Sequence, residues 1–378
     1  MTRLRCSGGL LMKRILVCSN ATFQRNGQTG VIMNLYRHLD HTRFKCDFIT
    51  RFVCDPAYRK EIEINGDNIY VLDRSLKNLT NYIRQVKKIV NNGYDIVHIH
   101  GSSSTLLLEL LATSSIDVKI THSHSSSSNS RILHYLLRPF VNVLTDYRIA
   151  CGEKAGKWMY GANKYTVINN GVDTKFFQYN KLNRDKIRSE YNINNIVYGH
   201  IGNFAEVKNQ TFVVDVFYEI CRKQKDAKLI LIGDGPLKNI IKEKVKNLGI
   251  SNKVIFTGAI NNVHEFLSAI DVILMPSLFE GFPLSLIEEQ VSGLPCLVSD
   301  VITTSCNITG MVHYCPLKKA PVEWADKAIL LSATSNRDLI SQRNIQLIGN
   351  VGYSAEESAR LLMSMYDRIL NNNVYGKC

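Results

Sequence analysis

The stretch Met275-Pro-Ser-Leu-Phe-Glu280-Gly-Phe-Pro-Leu-Ser-Leu-Ile-Glu288-Glu289 carries the reading of the fold. An apolar run ends at Pro276-Ser277, a short loop follows, and a helical pattern starts near Pro283, whose fixed φ suits the first helical position. This spacing puts Glu280 in the loop above a strand end and Glu288 about one turn inside the helix. Gly281 lets backbone approach a ligand, and the free N–H groups at the helix start favour an anion. A carboxylate beside an anion site suits either sugar hydroxyls, since it can accept two hydrogen bonds from a vicinal diol, or a plain surface role, with Glu280 complementing the helix dipole and Glu288 solvated.

Outward from this segment the same rhythm recurs. In the second half, Ile196–Ile201, Lys228–Ile232, Val254–Thr257 and Pro295–Ser299 are short apolar runs, and helical spacing lies between them at Asn209–Cys221, Leu237–Asn247 and Val263–Ile270. In the first half, Ile15–Ser19, Cys46–Thr50, Ile69–Leu72, Asp95–His100 and Val118–Thr121 read as strands. Val31–Leu39 and Leu79–Val90 read as helices. Strands alternating with helices predict an α/β chain with two doubly wound parallel sheets, with ligands beyond the carboxyl ends of the strands. The expected division is an extension over residues 1–11, a first domain over 12–175, a linker over 176–195 and a second domain over 196–353. A final helix, 354–378, opens on Ser354 and Glu357 in capping-box spacing and is expected to pack back on the first domain.

At 378 residues the chain is long enough for two domains, and 45% hydrophobic against 21% charged residues is a globular balance. No apolar run reaches the ~18–20 residues of a membrane span. Leu10-Leu11 is too short for the apolar part of a secretory signal. Ten cysteines scattered singly fit a reducing, cytoplasmic setting. The net charge of +13 is uneven. Residues 1–180 hold 24 Lys/Arg against 13 Asp/Glu, and residues 181–378 hold 22 against 20. Such asymmetry invites an anionic partner. A nucleic-acid partner is not expected, because no reading motif accompanies the charge.

With its Pro-Ser-x-x-Glu-Gly-Phe-Pro-Leu setting and the following Ser-Gly-Leu-Pro-Cys-Leu-Val-Ser, the Glu280–Glu288 segment resembles the signature of retaining family 4 glycosyltransferases. The resemblance runs from about Lys13 to about Leu370 and is nearest to bacterial members that assemble capsule, exopolysaccharide or O-antigen. It implies the GT-B fold, two Rossmann-like domains facing across a cleft, and transfer from a nucleotide-sugar, most simply UDP-linked, to a lipid-linked glycan acceptor. Neither a cofactor nor a metal is implied, and the sequence holds no Asp-x-Asp pair. The alternative function is a non-catalytic or weakly active sugar-nucleotide-binding partner of another glycosyltransferase.

What the resemblance implies for residues follows the motifs. Gly199-His-Ile-Gly202-Asn203-Phe-Ala-Glu206-Val-Lys208 is similar to the segment that holds the donor diphosphate. Lys208 falls on its lysine, and Asn203 stands where arginine is usual. Gly233 and Gly258 fall on strand-end turns beside the nucleotide, and Gly27 on a loop between first strand and first helix. Gly281, Phe282, Pro283 and Leu284 complete the donor-binding set. Glu288 is assigned the ribose hydroxyls and Glu280 the sugar hydroxyls. His124, with His122 as alternate, is assigned the sugar near the reaction centre. The catalytic set is therefore His124, Glu280 and Lys208. His98, His100, His122 and His124 form two alternating pairs whose members share a strand face, a pattern that also suits a metal; no carboxylate-rich motif accompanies them, and none is assigned.

One stretch bears on the anionic partner. Arg131 to Arg148 interleaves Leu133, Leu136, Leu137, Phe140 and Leu144 with Arg131, Arg138 and Arg148, and Lys154 and Lys157 follow. Pro139 predicts two short helices there. The pattern suits either core packing or peripheral docking on an anionic membrane.

Overall fold

The computed structural model describes residues 12–24, 26–128, 131–333 and 336–375, so the expected extension over 1–11 lies outside the described residues. The chain divides into two compact units. The first runs through Gly171 and resumes at Ala355; the second is Val172–Ser354.

The first unit is built on β1 (Lys13–Ser19), β2 (Phe44–Arg51), β3 (Ile69–Leu72), β4 (Ile96–Gly101), β5 (Val118–Ser123), β6 (Tyr147–Ala150) and β7 (Thr166–Val167). Their order is β3-β2-β1-β4-β5-β6-β7, and every pairing is parallel. Ile15, Leu16, Ile96, Val97 and Ile99 are fully buried, as expected for strands covered by helices on both faces. Helix Leu79–Val90 buries Tyr82, Val86, Ile89 and Val90 and turns Arg84, Lys87 and Lys88 outward. The C-terminal helix Ala355–Tyr375 belongs to this unit, where Tyr366 packs on Phe44 and meets His98 Nδ1 at 2.6 Å.

The second unit holds β8 (Val197–Ile201), β9 (Lys228–Ile232), β10 (Val254–Gly258), β11 (Val272–Met275), β12 (Cys296–Ser299) and β13 (Val312–Cys315), in the order β10-β9-β8-β11-β12-β13. These pairs too are all parallel. Two apolar clusters cover this sheet. One includes Val213, Phe217 and Trp324, the other Leu267, Ile273 and Leu286.

Three expectations need correction. Residues 176–195 are no linker: they lie inside the second unit and carry helix Lys181–Glu190. Ile187 and Ile193 are buried there, and Arg184 and Arg188 both pair with Asp271. The chain passes between units at Gly171/Val172 instead, with Val172 N–H donating to the Tyr353 carbonyl at 2.9 Å beside the return point. Pro139 does not split its stretch, since Arg131–Leu144 is one helix. Proline removes the bond to the Tyr135 carbonyl, but it sits on the exposed side, where water can replace it. Pro283 is the N-cap rather than the first helical residue, with ψ at 110° and the helix running Leu284–Val291.

Candidate functional site

In both sheets the strand order reverses once, between β1 and β4 in the first unit and between β8 and β11 in the second. Crevices at the carboxyl ends of such neighbours are where open α/β sheets bind ligands. Gly27 follows β1 at the first and Lys208, Glu280 and Glu288 lie at the second, while His124 follows β5, Gly233 follows β9 and Gly258 ends β10.

In the second unit, β8 ends at Ile201 and the chain turns through Gly202 and Asn203 to Lys208. β11 ends at Met275 and leads through Ser277 to Glu280. Leu278 N–H donates to the Val207 carbonyl at 2.8 Å, and Asn209 Nδ2 donates to the Pro276 carbonyl at 3.1 Å, so the two loops are tied together. Asn209 is left-handed, φ 56°, a conformation asparagine tolerates. The tie brings Lys208 Nζ to 2.6 Å from Glu280 Oε1, with side chains 20% and 12% exposed. These two residues, 72 positions apart in sequence, form one charged pair.

The glycine turns sit beside them. A Cβ on Gly233 would lie 2.0 Å from the Gly202 carbonyl oxygen, and one on Gly235 2.6 Å from that of Phe204, so both positions exclude any side chain. Gly233 N–H donates to the Gly258 carbonyl at 3.0 Å, which joins the ends of β9 and β10. Asn203 is exposed and donates no cation. Gly281 and Gly27 have nothing within 4 Å of a notional Cβ, so the protein's own packing does not demand glycine there. Phe282 stacks on Tyr353, centroids 4.9 Å apart, and Leu284 packs in the same cluster.

Glu288 lies partly buried on helix Leu284–Val291 with no side-chain hydrogen bond among the described residues; burial pushes its carboxyl up to about 7. The next residue, Glu289, is wholly buried. Burial, and then the neighbouring Glu288 charge, hold it well above the ordinary range. Its Oε2 faces the Cys296 thiol at 3.7 Å, and Oε1 has no partner. Sequence reading passed over Glu289, because an acid inside an apolar helix pattern reads as a surface residue until burial is known.

In the first unit, His98, His100 and His122 are buried on one face of β4 and β5, and His124 follows, partly exposed. His100 Nδ1 meets His124 Nε2 at 2.7 Å, and His124 Nδ1 meets Asn170 Oδ1 at 3.0 Å. Among the described residues, His98 Nε2 and both His122 nitrogens make no hydrogen bond of normal geometry. Burial lowers all four histidines, His98 to about 3 and His124 to about 4, so each is a neutral imidazole near pH 7. His98, His100 and His122 present ligand atoms within 4.8 Å of one another, a spacing open to a metal ion. Gly27 opens helix Gly27–Arg37, capped by Asn26 through Thr29 N–H at 3.0 Å. Asn170 and Gln28, whose Nε2 donates to the His100 carbonyl, were missed as members of this cluster.

No helix among the described residues is long and apolar enough to cross a membrane. Helix Arg131–Leu144 nevertheless exposes Ile132 (81%), Leu136 (65%), Phe140 (60%) and Val143 (84%) along one side. Its inner side holds His134, stacked on Trp158 with centroids 3.9 Å apart.

Comparison with known proteins matches residues 25–176 to Glycosyltransferase Family 4 and residues 183–312 to Glycosyl transferases group 1. A Bacillus subtilis (strain 168) protein described as a glycosyltransferase, EpsF, is 30% identical over 364 residues, 91% of this chain and 94% of its own. The Escherichia coli UDP-Gal:alpha-D-GlcNAc-diphosphoundecaprenol alpha-1,3-galactosyltransferase is 28% identical over 61% of this chain and 64% of its own. Among solved structures, Anabaena HepE in complex with UDP superposes with a TM-score of 0.74, at 16% identity, over 94% of this chain and all of that one. The two parallel sheets, the acidic segment at Glu280–Glu288 and these relatives together make the chain a family 4 glycosyltransferase of the GT-B fold.

Proposed function

We propose that this glycosyltransferase moves a hexosyl or N-acetylhexosaminyl group, with retention, from a UDP-sugar to a lipid-linked oligosaccharide during surface polysaccharide assembly. The observation that carries this reading is the Lys208–Glu280 pair beside the partly buried Glu288, at the strand reversal of the second unit. A cation, a sugar-facing acid and a ribose-facing acid are the three groups a nucleotide-sugar requires. The names of relatives support the substrate classes: one acts from UDP-Gal on a diphosphoundecaprenol-linked sugar, another belongs to lipopolysaccharide core biosynthesis, and HepE was solved with UDP-glucose.

In this reading the bond from the anomeric carbon to the diphosphate oxygen breaks through an oxocarbenium-like centre. The acceptor oxygen bonds to that carbon on the same face, and its proton passes to the departing phosphate. Lys208 and the backbone N–H groups after Pro283 stabilise the charge that grows on the diphosphate, a fixed electrostatic contribution that needs neither cofactor nor divalent ion. Glu280 holds sugar hydroxyls, Glu288 the ribose, and His124 the sugar near the reacting carbon. Gly27, Gly258 and Gly281 leave backbone open to the donor, while Gly202 and Gly233 let the turns that flank it pack together.

The same reading places the protein on the cytoplasmic face of an anionic membrane, where its lipid-linked acceptor resides. Helix Arg131–Leu144 supports this, since its apolar stripe faces outward, with Arg131, Lys154 and Lys157 exposed on it and on the helix packed beside it. Asn203, in the usual arginine position, favours one other reading, a donor-binding partner with little activity of its own. The experiment is transfer from a panel of UDP-, GDP- and ADP-sugars to diphospho-polyprenyl acceptors, with and without EDTA, and NMR of the product anomer. An inverted product removes retention; loss of activity in EDTA removes metal independence. Donor binding with neither transfer nor donor hydrolysis leaves the partner reading.

A further inference from the structure

Lys208 and Glu280 are assigned to different parts of one donor, yet without a ligand they occupy each other. Nζ and Oε1 are 2.6 Å apart, and both side chains are largely buried. Among the described residues Lys208 is the only cation within ion-pair distance of Glu280. Breaking a pair this enclosed is costly, because either charge left without a partner retains its desolvation penalty. Resting on the reading above, we infer that this pair discriminates the intact donor from the nucleoside diphosphate product and drives product out.

Donor and product differ in what each offers the pair. An intact nucleotide-sugar brings both replacements: phosphate oxygens for Lys208 and hydroxyl donors for Glu280. Each charged group exchanges one charge-assisted contact for another. After transfer the sugar is gone. The diphosphate still offers an anion to Lys208, but Glu280 is left nearly buried, without a donor, beside added negative charge. Its nearest recourse is Lys208 itself, so the carboxylate and the diphosphate compete for one ammonium group. Asn203, neutral where a second cation is usual, supplies no charge to settle that competition in favour of the phosphate. Glu280 is thereby a specificity-determining residue for donor over product as well as a sugar contact.

The geometry makes the exchange local. Leu278 N–H on the Val207 carbonyl and Asn209 Nδ2 on the Pro276 carbonyl hold the two loops together independently of the ion pair. Breaking the pair therefore requires side-chain rotation only. The backbone of Gly202 lies against the Lys208 stem, with a notional Cβ 3.3 Å from Cε, so the stem has a fixed seat from which the ammonium swings.

The test is isothermal titration of wild type, Glu280→Gln, Glu280→Ala and Lys208→Gln with UDP, UMP, GDP, GMP, ADP and AMP. Thermal melts run alongside establish that each variant is folded. For the base that wild type binds, both Glu280 variants are expected to bind the diphosphate roughly tenfold more tightly, the range of one charged hydrogen bond. The corresponding monophosphate should be unaffected, and Lys208→Gln should weaken the diphosphate. In turnover, Glu280→Gln should show stronger product inhibition relative to its donor KM. Diphosphate affinity that is unchanged or weaker in both folded Glu280 variants overturns the inference while leaving the donor site standing. Wild-type protein that binds none of the diphosphates overturns the donor-site reading itself, and the inference with it.

Discussion

His100 Nδ1 lies 2.7 Å from His124 Nε2, and the direction of that hydrogen bond is set by a third residue. Asn170 Oδ1, an amide oxygen that can only accept, lies 3.0 Å from His124 Nδ1, so Nδ1 carries the proton and donates it. His124 Nε2 is then an acceptor, and His100 Nδ1–H donates to it. His124 is held neutral, in one tautomer, with its ring plane fixed at both ends. A sugar hydroxyl that reaches His124 must take Nε2 from His100.

This predicts a graded series. His124→Ala should lower kcat/KM by roughly five- to tenfold, the worth of one neutral hydrogen bond. Asn170→Ala should approach that loss by releasing the tautomer, and Asn170→Asp, which keeps an acceptor on Nδ1–H, should recover most of it. Wild-type kinetics for His124→Ala would pass the role to His122, whose two nitrogens make no hydrogen bond of normal geometry among the described residues.

Glu288 ties affinity to stability. Its folded-state carboxyl sits at about 7 against an ordinary 4.5, because burial disfavours the charge. The native state therefore holds the proton more tightly than the unfolded chain. That contribution to stability is complete below about 4.5 and is lost as pH rises through about 7. Glu288→Gln is neutral throughout. Its melting temperature should match wild type near pH 5 and exceed it at pH 8, while its nucleotide affinity falls. Parallel melting curves for the two proteins from pH 5 to 8 would argue against a burial-shifted carboxyl.

At the diphosphate position the expected ranking is Lys208→Ala far below Asn203→Ala, since only Lys208 carries charge. Removal of such a stabilising donor costs about 10²–10³ in turnover. Asn203 is exposed and stands where arginine is usual, so Asn203→Arg is expected to raise turnover and tighten donor binding. Steady-state kinetics on the three variants decides it. Equal rates for wild type and Lys208→Ala would take the lysine out of the mechanism.

Much of this was legible in the sequence, for identifiable reasons. The apolar run Lys228–Ile232 gave its strand limits to the residue, because an inner parallel strand is buried on both faces, and Ile69–Leu72, an edge strand with both ends buried, did so too. The β6 strand, Tyr147–Ala150, and β13, Val312–Cys315, were missed, being four residues long and interrupted by Arg148 or His313. Helices Pro321–Leu331 and Arg337–Asn350 were also missed; Arg337–Asn350 has no clear apolar stripe and buries Ser341 and Asn344. The acidic segment was readable because its spacing is local. The Lys208–Glu280 pair and the His124–Asn170 bond were not, because each joins residues that only the strand order brings together.

The final prediction concerns helix Arg131–Leu144, where burial runs against the usual pattern. A surface helix normally turns its apolar stripe to the core. This one buries only Val141 and His134, and His134 Nδ1 accepts from Ser104 N–H at 3.0 Å while its Nε2–H donates to the Trp158 carbonyl at 3.0 Å. Ile132, Leu136, Phe140 and Val143 instead face outward, where they recur at helical spacing. Apolar patches of this kind, rimmed by basic residues, mark contact with an apolar partner. Arg131, Lys154 and Lys157 are exposed beside the stripe, and each basic residue near an anionic leaflet contributes about 1 kcal/mol. The protein should co-sediment with phosphatidylglycerol vesicles and much less with phosphatidylcholine, and high salt should weaken the attachment as screening shortens to about 3 Å at 1 M. Leu136→Glu with Phe140→Glu, both at exposed positions, should abolish sedimentation without lowering the melting temperature. Transfer to a water-soluble acceptor should be retained in that variant, while transfer to a vesicle-embedded acceptor is lost. Vesicle binding indifferent to lipid charge, salt and the double substitution would leave the stripe without a membrane role.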